Sequence, residues 1–437
     1  MAGQAPLRSV DRRILGLAVP ALGTLAADPL LSLVDTGFVA QLGTIPLAAL
    51  GVDTAIFSFA FFAFNFLAYA TTPMVARRLG EGDAAGAGRV VVQALFLAAV
   101  LGTVSALVLA GTARQLIGLM QASPELLEPA VSYLRIRALA APAMLVVTAG
   151  HGAFRGMHDT RTPLWITLAI NLVNLLLDPL LIFGVGWGLE GAAIATVIAQ
   201  WIGAIWFVTR LVRIGRLRRW AWHRPRLTEL RPMLTTGGAL TVRTLFLTGT
   251  LTVATAVAAS MGAAEVASHQ VLAQTWLLLA MIVDALAIAA QAMVADELGR
   301  SDRQGATAVA ARLARWGLAV GVALAILVFV GRSLLAAAFG SGPEVAALIE
   351  RAAVVTALMQ PVAALVFVAD GIYLGLLQVR YLVYSTAAGA VAGGIVLAAT
   401  LSQGWGLLGV WWGITAMIGA RLAVLALAYR PAVARST

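Results

Sequence analysis

Long runs of apolar residues follow one another along the chain, separated by short polar stretches. Each run is long enough to cross a bilayer, for which a helix needs about 20 residues. The pattern therefore predicts an all-α membrane protein with about twelve transmembrane helices. Their predicted ranges are 14–41, 47–75, 89–112, 126–153, 163–185, 189–212, 234–260, 264–295, 308–331, 346–376, 382–402 and 406–429.

Composition supports this interpretation and excludes several kinds of chemistry. The 437 residues are 61% hydrophobic and only 11% charged, and their mean hydropathy is +0.92. A water-soluble globule is excluded, because soluble domains carry about twice that charged fraction. The chain has no cysteine and no lysine, which excludes disulfides, thiol catalysis, a P-loop lysine and a Schiff-base chromophore. We expect no catalytic residue, no cofactor and no enzymatic activity.

All 30 basic residues are therefore arginine, and the net charge is +10. The positions of the arginines explain this excess of positive charge by membrane topology. They cluster at the termini and in the loops after even-numbered helices, whereas the other loops hold mainly Arg114, Arg332 and Arg351. The positive-inside rule places both termini in the cytoplasm, for a multi-pass protein of the cell (inner) membrane. The densest cluster, at 213–231, could bind nucleic acid or anionic lipid, but a topology determinant is favoured, so no nucleic-acid partner is expected.

The two halves of the chain are related in sequence. Residues 42–87 align without a gap onto 261–306 at an offset of 219, and residues 186–191 match 404–409 at an offset of 218. Each half has an even number of predicted helices, so the halves should have the same orientation in the membrane. The sequence predicts two pseudo-symmetric six-helix bundles facing a central cleft. The predicted domains are an N-terminal lobe (1–213), a cytoplasmic arginine-rich connector (214–231) and a C-terminal lobe (232–437).

A polar cluster in the outer half of the first bundle breaks this symmetry. Its members share one predicted depth: Asp35, Asn174, Asp178 and Thr196. The repeat partners of the first three are small or apolar: Ala254, Ala392 and Val396. Intramembrane carboxylates are costly and usually functional, and two close carboxyl groups favour a shared proton. The same oxygens would suit sodium. Ion coupling is favoured over a structural hydrogen-bond cluster that joins three helices.

Helix 1 carries a further acid and two prolines. Asp28 precedes Asp35 by seven residues, so it shares that face of the helix at a deeper level. Pro20 and Pro29 should bend the helix or leave carbonyl groups free. Helix 1 is therefore either a conformational switch or a static kink, and the sequence favours neither.

The second bundle holds a different set of charged residues. Arg243, Asp284 and Asp370 lie at one predicted depth nearer the cytoplasmic ends of their helices. We expect a buried ion-pair network, because an arginine inside a membrane normally needs acidic partners. Structural pairing is favoured over direct contact with substrate. His151, the repeat partner of Asp370, is expected to be a hydrogen-bonded structural residue.

At these residues the chain resembles the multidrug and toxic compound extrusion (MATE) transporters, and within them the DinF-like branch. The resemblance covers essentially the whole chain. It is carried by DPLLSLVDTGFV at 28–39, RGMHDTRTPL at 155–164, NLVNLLLDP at 171–179, His269-Gln270, DALAIAAQ at 284–291 and Asp370-Gly371.

The resemblance implies two six-helix lobes that export diverse, often cationic compounds, driven by inward proton or sodium flux. It places the Asp35, Asn174, Asp178 and Thr196 cluster in the ion-coupling cavity and Pro20 at the bend of helix 1. One segment departs from the branch, since residues 375–381 read GLLQVRY where an acid is often found near Gln378.

The sequence thus predicts a secondary antiporter that exports lipophilic, often cationic drugs or metabolites by alternating access, in exchange for protons or sodium. Its partners would be small-molecule substrates and the lipid bilayer, and it would act as a monomer. Substrate would bind in the cleft between the lobes or within the first lobe. A flippase for lipids or lipid precursors is the alternative, but it predicts a basic cavity. An intramembrane aspartyl protease using Asp35 and Asp178, or a channel, is less favoured.

Overall fold

The computed structural model describes residues 7–120, 124–214, 225–340 and 342–435, and these residues are almost entirely helical. Within them the α-helices are α1 (Leu7–Ala40), α2 (Thr44–Phe62), α3 (Phe66–Gly80), α4 (Ala84–Leu119), α5 (Pro124–Ala138), α6 (Ala141–Gly156), α7 (Arg161–Pro179), α8 (Gly188–Arg213), α9 (Leu227–Met261), α10 (Ala263–Gly299), α11 (Arg303–Phe339), α12 (Pro343–Gly375), α13 (Val379–Gln403) and α14 (Gly406–Ala434). Residues 215–224 of the predicted arginine-rich connector lie outside the described residues.

The predicted number of membrane spans is confirmed. Over the described ranges, 11 helical spans are long and apolar enough to cross a membrane, and the bent pair of α5 and α6 makes a twelfth. The protein is therefore an all-α, multi-pass membrane protein.

Three spans differ from the continuous helices that the sequence predicts. The fourth, predicted over 126–153, bends by 47° between α5 and α6, where Pro142 lies in the first turn of α6. The second is interrupted by a 3-10 turn at Ala63–Asn65. The fifth changes into a π-helical turn at Leu180–Gly184, directly after Pro179. A proline explains the change in helix geometry in both the fourth and the fifth span, because proline has no N–H to continue the helical hydrogen bonds.

Packing divides the chain into two compact units. The first unit comprises residues 19–237, and the second comprises residues 1–18 and 238–437. The start of α1 therefore belongs with the second unit and the remainder of α1 with the first. In the first unit α4 packs on α6, α7 on α8 and α2 on α5, and in the second α12 packs on α10, α11 and α14. The predicted lobe boundaries at 213 and 232 stay a prediction.

Backbone geometry repeats between the two halves at the offsets found in the sequence. Described residues with positive φ form five pairs: Gly43 with Gly262, Gly82 with Ser301, His158 with Leu377, Gly186 with Gly404, and Gly188 with Gly406. Each half also caps a helix in the same way, since Asp83 accepts from Gly86 N–H and Asp302 from Gly305 N–H, both at 2.7 Å. Side-chain oxygens at this position satisfy donors that the first helical turn leaves unpaired. The two halves therefore share turn and cap chemistry as well as sequence.

Candidate functional site

The predicted acidic pair comes together in the first unit. Asp35 on α1 and Asp178 on α7 have their carboxyl groups within hydrogen-bonding reach of each other. Asp178 is 1% exposed, and Oδ1 of Asp35 is buried with no hydrogen-bond partner among the described residues. Two carboxyl groups form a hydrogen bond only when one of them carries a proton. The geometry is therefore that of a pair that can hold one shared proton.

Asn174 and Thr196 complete the predicted cluster. Asn174 lies one helical turn before Asp178 on α7, and its Nδ2 donates to Oδ1 of Asp178 at 3.2 Å. The same nitrogen is 3.5 Å from Oγ1 of Thr196, whose hydroxyl donates to the Ala192 carbonyl at 3.1 Å. The structure thus brings together all four residues of the predicted cluster, on α1, α7 and α8.

The end of α7 is built so that Asp178 stays at this depth. Pro179 follows it directly, and the π-helical turn closes with Val185 N–H donating to the Leu180 carbonyl at 2.8 Å. Gly191 of α8 packs against this turn so closely that a Cβ there would lie 2.8 Å from the Leu181 backbone. Since side chains larger than hydrogen do not fit such a contact, Gly191 sets how near α8 approaches α7.

Asp28 and Pro20 occupy the part of α1 before Asp35. Asp28 accepts from Nδ2 of Asn171 at 3.3 Å. Two amides of α7 therefore donate to acids of this site, Asn171 to Asp28 and Asn174 to Asp178. The helix continues through Pro20, whose carbonyl accepts from the Thr24 hydroxyl at 3.0 Å. The role of Pro20 in bending stays a prediction.

Two charged residues of this site were missed by the sequence analysis. Nη1 of Arg137 on α5 donates to Oδ2 of Asp53 on α2 at 2.8 Å, and Asp53 is fully buried. The guanidinium lies 4.7 Å above the Phe57 ring and interacts electrostatically with Asp35. A repeat comparison would have found both, because the residues 219 positions later are Leu272 and Thr356.

In the second unit, Arg243 and Asp370 of the predicted network are in contact and Arg421 joins them, whereas the part of Asp284 in the network stays a prediction. Asp370 on α12 accepts hydrogen bonds from Arg243 on α9 and from Nη2 of Arg421 on α14, the latter at 2.7 and 2.9 Å. Arg421 is 2% exposed and was missed because the sequence analysis considered no charge of the last span. Asp284 lies half-buried on α10, which packs against α12.

Two histidines named in the sequence analysis, His151 and His269, have side-chain contacts. His151 on α6 hydrogen-bonds Thr167 at 3.2 Å and packs edge-on against Phe207, with ring centroids 5.1 Å apart. His269 on α10 hydrogen-bonds Thr255 at 3.1 Å. These contacts agree with the structural role expected for His151.

Sodium binding at the acidic pair stays a prediction, and the orientation of Asn174 bears on it. Asn174 presents its amide nitrogen, not its oxygen, to Asp178. Among the residues that the structure describes, no three histidine or acidic side chains converge into a metal-binding group. Hard cations are held by several oxygen ligands, so sodium at Asp35, Asn174, Asp178 and Thr196 would require the amide to turn.

Comparison with known proteins agrees with this architecture. The sequence profile of the MatE family matches residues 20–180 and 239–400. The chain is 34% identical to Protein DETOXIFICATION 44, chloroplastic, of Arabidopsis thaliana, over 94% of this chain and 81% of that protein. It is 26% identical to DNA damage-inducible protein F of Escherichia coli (strain K12), over 97% and 93% of the two chains.

Among solved structures, the fold is similar to the Vibrio cholerae MATE transporter VcmN in the bent form. The TM-score is 0.91, the sequence identity is 21%, and 98% of each chain is covered. The matched segments lie in both halves of the repeat and contain Asp35, Asn174, Asp178 and Asp370. The chain therefore belongs to the MatE family of membrane transporters and is a homologue of its DinF proteins.

Proposed function

We propose that the protein is a secondary antiporter that exports lipophilic, often cationic compounds by alternating access, in exchange for protons. The observation that carries the proposal is the pair of carboxyl groups of Asp35 and Asp178, placed within hydrogen-bonding reach inside membrane spans. Burying ionised carboxylates inside a membrane costs free energy, so such residues usually take part in function, here by gaining and losing a proton. The confinement of the pair to one half of a repeat supports a functional origin.

In the proposed cycle, the deprotonated pair attracts a cationic substrate. Protonation removes the negative charge and with it the attraction, so substrate is released to the outside. Coupling requires that proton and substrate shift the inward–outward equilibrium in opposite directions. The protein's own residues suffice for these steps, so we propose no cofactor. We also propose a monomer in the cell (inner) membrane, with both termini in the cytoplasm.

A lipid flippase is not favoured. Anionic headgroups call for a basic pocket, whereas the predicted cluster around Asp178 is acidic and amide-bearing. Sodium is kept as the second coupling ion to be tested, because carboxylate, amide and hydroxyl oxygens occur together at this site.

Efflux from proteoliposomes tests the proposal, with the pH and sodium gradients imposed independently and several lipophilic cations as substrates. We expect efflux to follow the pH gradient and to be lost in Asp35→Asn and in Asp178→Asn. Asp302→Asn is the matched control, because it changes the same functional group at a helix N-cap, where asparagine caps equally well. Undiminished efflux in both site variants would refute the coupling role.

A further inference from the structure

A cavity of about 460 Å³ opens on the surface of the first unit between α7 and α8. Its walls are mostly apolar and include Trp165, Leu168 and Leu172 of α7. The other wall is formed by Trp206 and Arg210 of α8, and Arg210 alone carries a charge among the described residues that line the cavity. The transport cycle proposed above gives this cavity no role.

The cavity extends from the ends of both helices into the membrane. Arg210 lies in the last turn of α8, and Thr162 is the second residue of α7. Leu172 is ten residues further along α7, which corresponds to about 15 Å at a rise of about 1.5 Å per residue. The hydrocarbon core of a bilayer is about 30 Å thick, so the cavity has the depth of a single leaflet. In the proposed topology these helix ends are cytoplasmic.

Positive charge exceeds negative charge at this end of the two helices. Arg161, Arg210 and Arg213 are exposed, and none of them forms an ion pair with another described residue. The carboxylate of Asp159 accepts from Arg161 N–H, Thr162 N–H and the Thr162 hydroxyl at 3.0, 2.9 and 2.6 Å, so it is held at the start of α7. Three guanidinium groups against one carboxylate favour an anionic ligand, and the planar donors of arginine match a phosphate group.

The corresponding helices of the second half lack these aromatic and basic groups. At the offset of 218 residues, Trp165, Trp206 and Arg210 correspond to Val383, Val424 and Ala428. α13 packs on α14 as α7 packs on α8, so this packing requires neither tryptophan nor arginine at these positions. Packing therefore does not explain why the first unit has two indoles and a guanidinium here, whereas binding of a ligand does.

We propose that this cavity binds one anionic phospholipid of the cytoplasmic leaflet. The phosphate pairs with the guanidinium of Arg210, the indoles of Trp165 and Trp206 lie at the level of the headgroup and glycerol, and an acyl chain packs along Leu168 and Leu172. A lipophilic cation is disfavoured at this position, because Arg210 would repel it. The lipid is a bound ligand and not cargo, so the assignment does not depend on the proposed antiport function.

Thermal unfolding of the purified full-length protein in detergent tests the proposal. Dioleoyl phosphatidylglycerol or dioleoyl phosphatidylcholine is titrated into the micelles, and these two lipids have the same acyl chains but differ in net charge. We expect phosphatidylglycerol to raise the unfolding temperature at concentrations about tenfold below those required of phosphatidylcholine.

Arg210→Gln should remove the preference for phosphatidylglycerol. The side chain is exposed, so the variant is expected to fold. Arg315→Gln on α11 is the matched control, because Arg315 is also exposed and forms no ion pair within the described ranges. This control should keep the preference of the unaltered protein.

A second variant tests the part of the site that takes the acyl chain. Ala169 lines the cavity, so the larger side chain of Ala169→Phe would occupy space that the chain needs. We expect about threefold weaker binding of both lipids, with the preference for phosphatidylglycerol retained. Glycerol 3-phosphate has a phosphate but no acyl chain, so it should not stabilise the protein at these concentrations.

Four results would overturn the proposal. The first is equal stabilisation of the unaltered protein by the two lipids, and the second is the same loss of preference in Arg315→Gln as in Arg210→Gln. The third is stabilisation by glycerol 3-phosphate at lipid concentrations, which would indicate a site for small anions. The fourth is competitive displacement of phosphatidylglycerol by tetraphenylphosphonium, which would assign the cavity to substrate. The efflux test with Asp35→Asn and Asp178→Asn is independent of all four results.

Discussion

Nδ2 of Asn174 lies 3.2 Å from Oδ1 of Asp178 and 3.5 Å from Oγ1 of Thr196, so a single amide joins α7 and α8 at the acidic pair. The first contact is a hydrogen bond to a group that gains and loses charge in the proposed cycle. The second is at the limit of hydrogen-bonding distance between neutral groups. The two contacts should therefore contribute unequally to function.

Asn174→Ala should lower proton-driven efflux by about tenfold, because a hydrogen bond to a charged group contributes more than one between neutral groups. Thr196→Val should lower efflux by less than about threefold, since its hydroxyl mainly bonds its own helix at Ala192. Efflux rates in proteoliposomes, normalised to protein content, check this order. A larger loss in Thr196→Val than in Asn174→Ala would contradict the geometry.

Much of the architecture was predictable because the bilayer imposes length and apolarity on every span. The repeat was predictable too, because the two halves align in sequence. The structure agrees with that alignment, since the turns at His158 and Leu377 are closed by the same backbone hydrogen bonds. The breaks in the spans were not predicted, although Pro142 and Pro179 were visible. A proline inside an apolar run is compatible with a kink, a break or a π-helical turn, and the packing of neighbouring helices decides among them.

The site was predicted in part, for a related reason. Asp35 and Asp178 were found because depth in the membrane follows directly from sequence position. Asp53 and Arg137 meet because α2 packs on α5, and the contact between two helices eighty residues apart cannot be read from the periodicity of either one. The asymmetry of the repeat was the signal available for both, and it applies equally to Arg421, whose partner 218 positions earlier is Gly203.

Gly102 on α4 should be intolerant of any side chain. A Cβ there would lie 2.4 Å from Cα of Pro142, at the bend between α5 and α6, whereas a Cβ at Gly111 of the same helix meets nothing within 4 Å. We expect Gly102→Ala to lower the free energy of unfolding by about 1–3 kcal/mol through overpacking. Gly111→Ala should raise it by up to about 1 kcal/mol, because alanine favours helix over glycine.

Thermal unfolding of both variants in the same detergent checks these opposite signs. A loss of stability of the same size in both variants would show that backbone flexibility of α4, and not the contact with Pro142, is what matters. Efflux by Gly102→Ala is an additional readout, because Arg137 lies at the end of α5, next to this bend.

Asp370 compensates the buried Arg421 and the half-buried Arg243, so its neutralisation should be among the most damaging single changes in the second unit. Asp370→Asn leaves Arg243 and Arg421 adjacent without their shared carboxylate. Breaking a buried ion pair on one side costs about 3–5 kcal/mol. The exposed pair of Arg114 and Glu128 supplies the control, because Glu128→Gln should cost no more than about 1 kcal/mol. Comparable unfolding temperatures for the two variants would contradict the structural role of the network.

The start of α1 is held within the second unit by Asp11 and by Arg13, which pairs with Asp296 and Glu297. Asp11 accepts from Nε and Nη2 of Arg312 at 2.7 and 2.5 Å and from Nε1 of Trp316 at 2.9 Å. Asp11→Asn loses the bidentate ion pair, so residues 7–18 should exchange amide hydrogens at least about threefold faster. Arg12→Gln is the matched control on the same turn, since Arg12 is exposed. Hydrogen–deuterium exchange of the purified protein measures both variants, and faster exchange in Arg12→Gln than in Asp11→Asn would mean that general loss of terminal charge loosens α1.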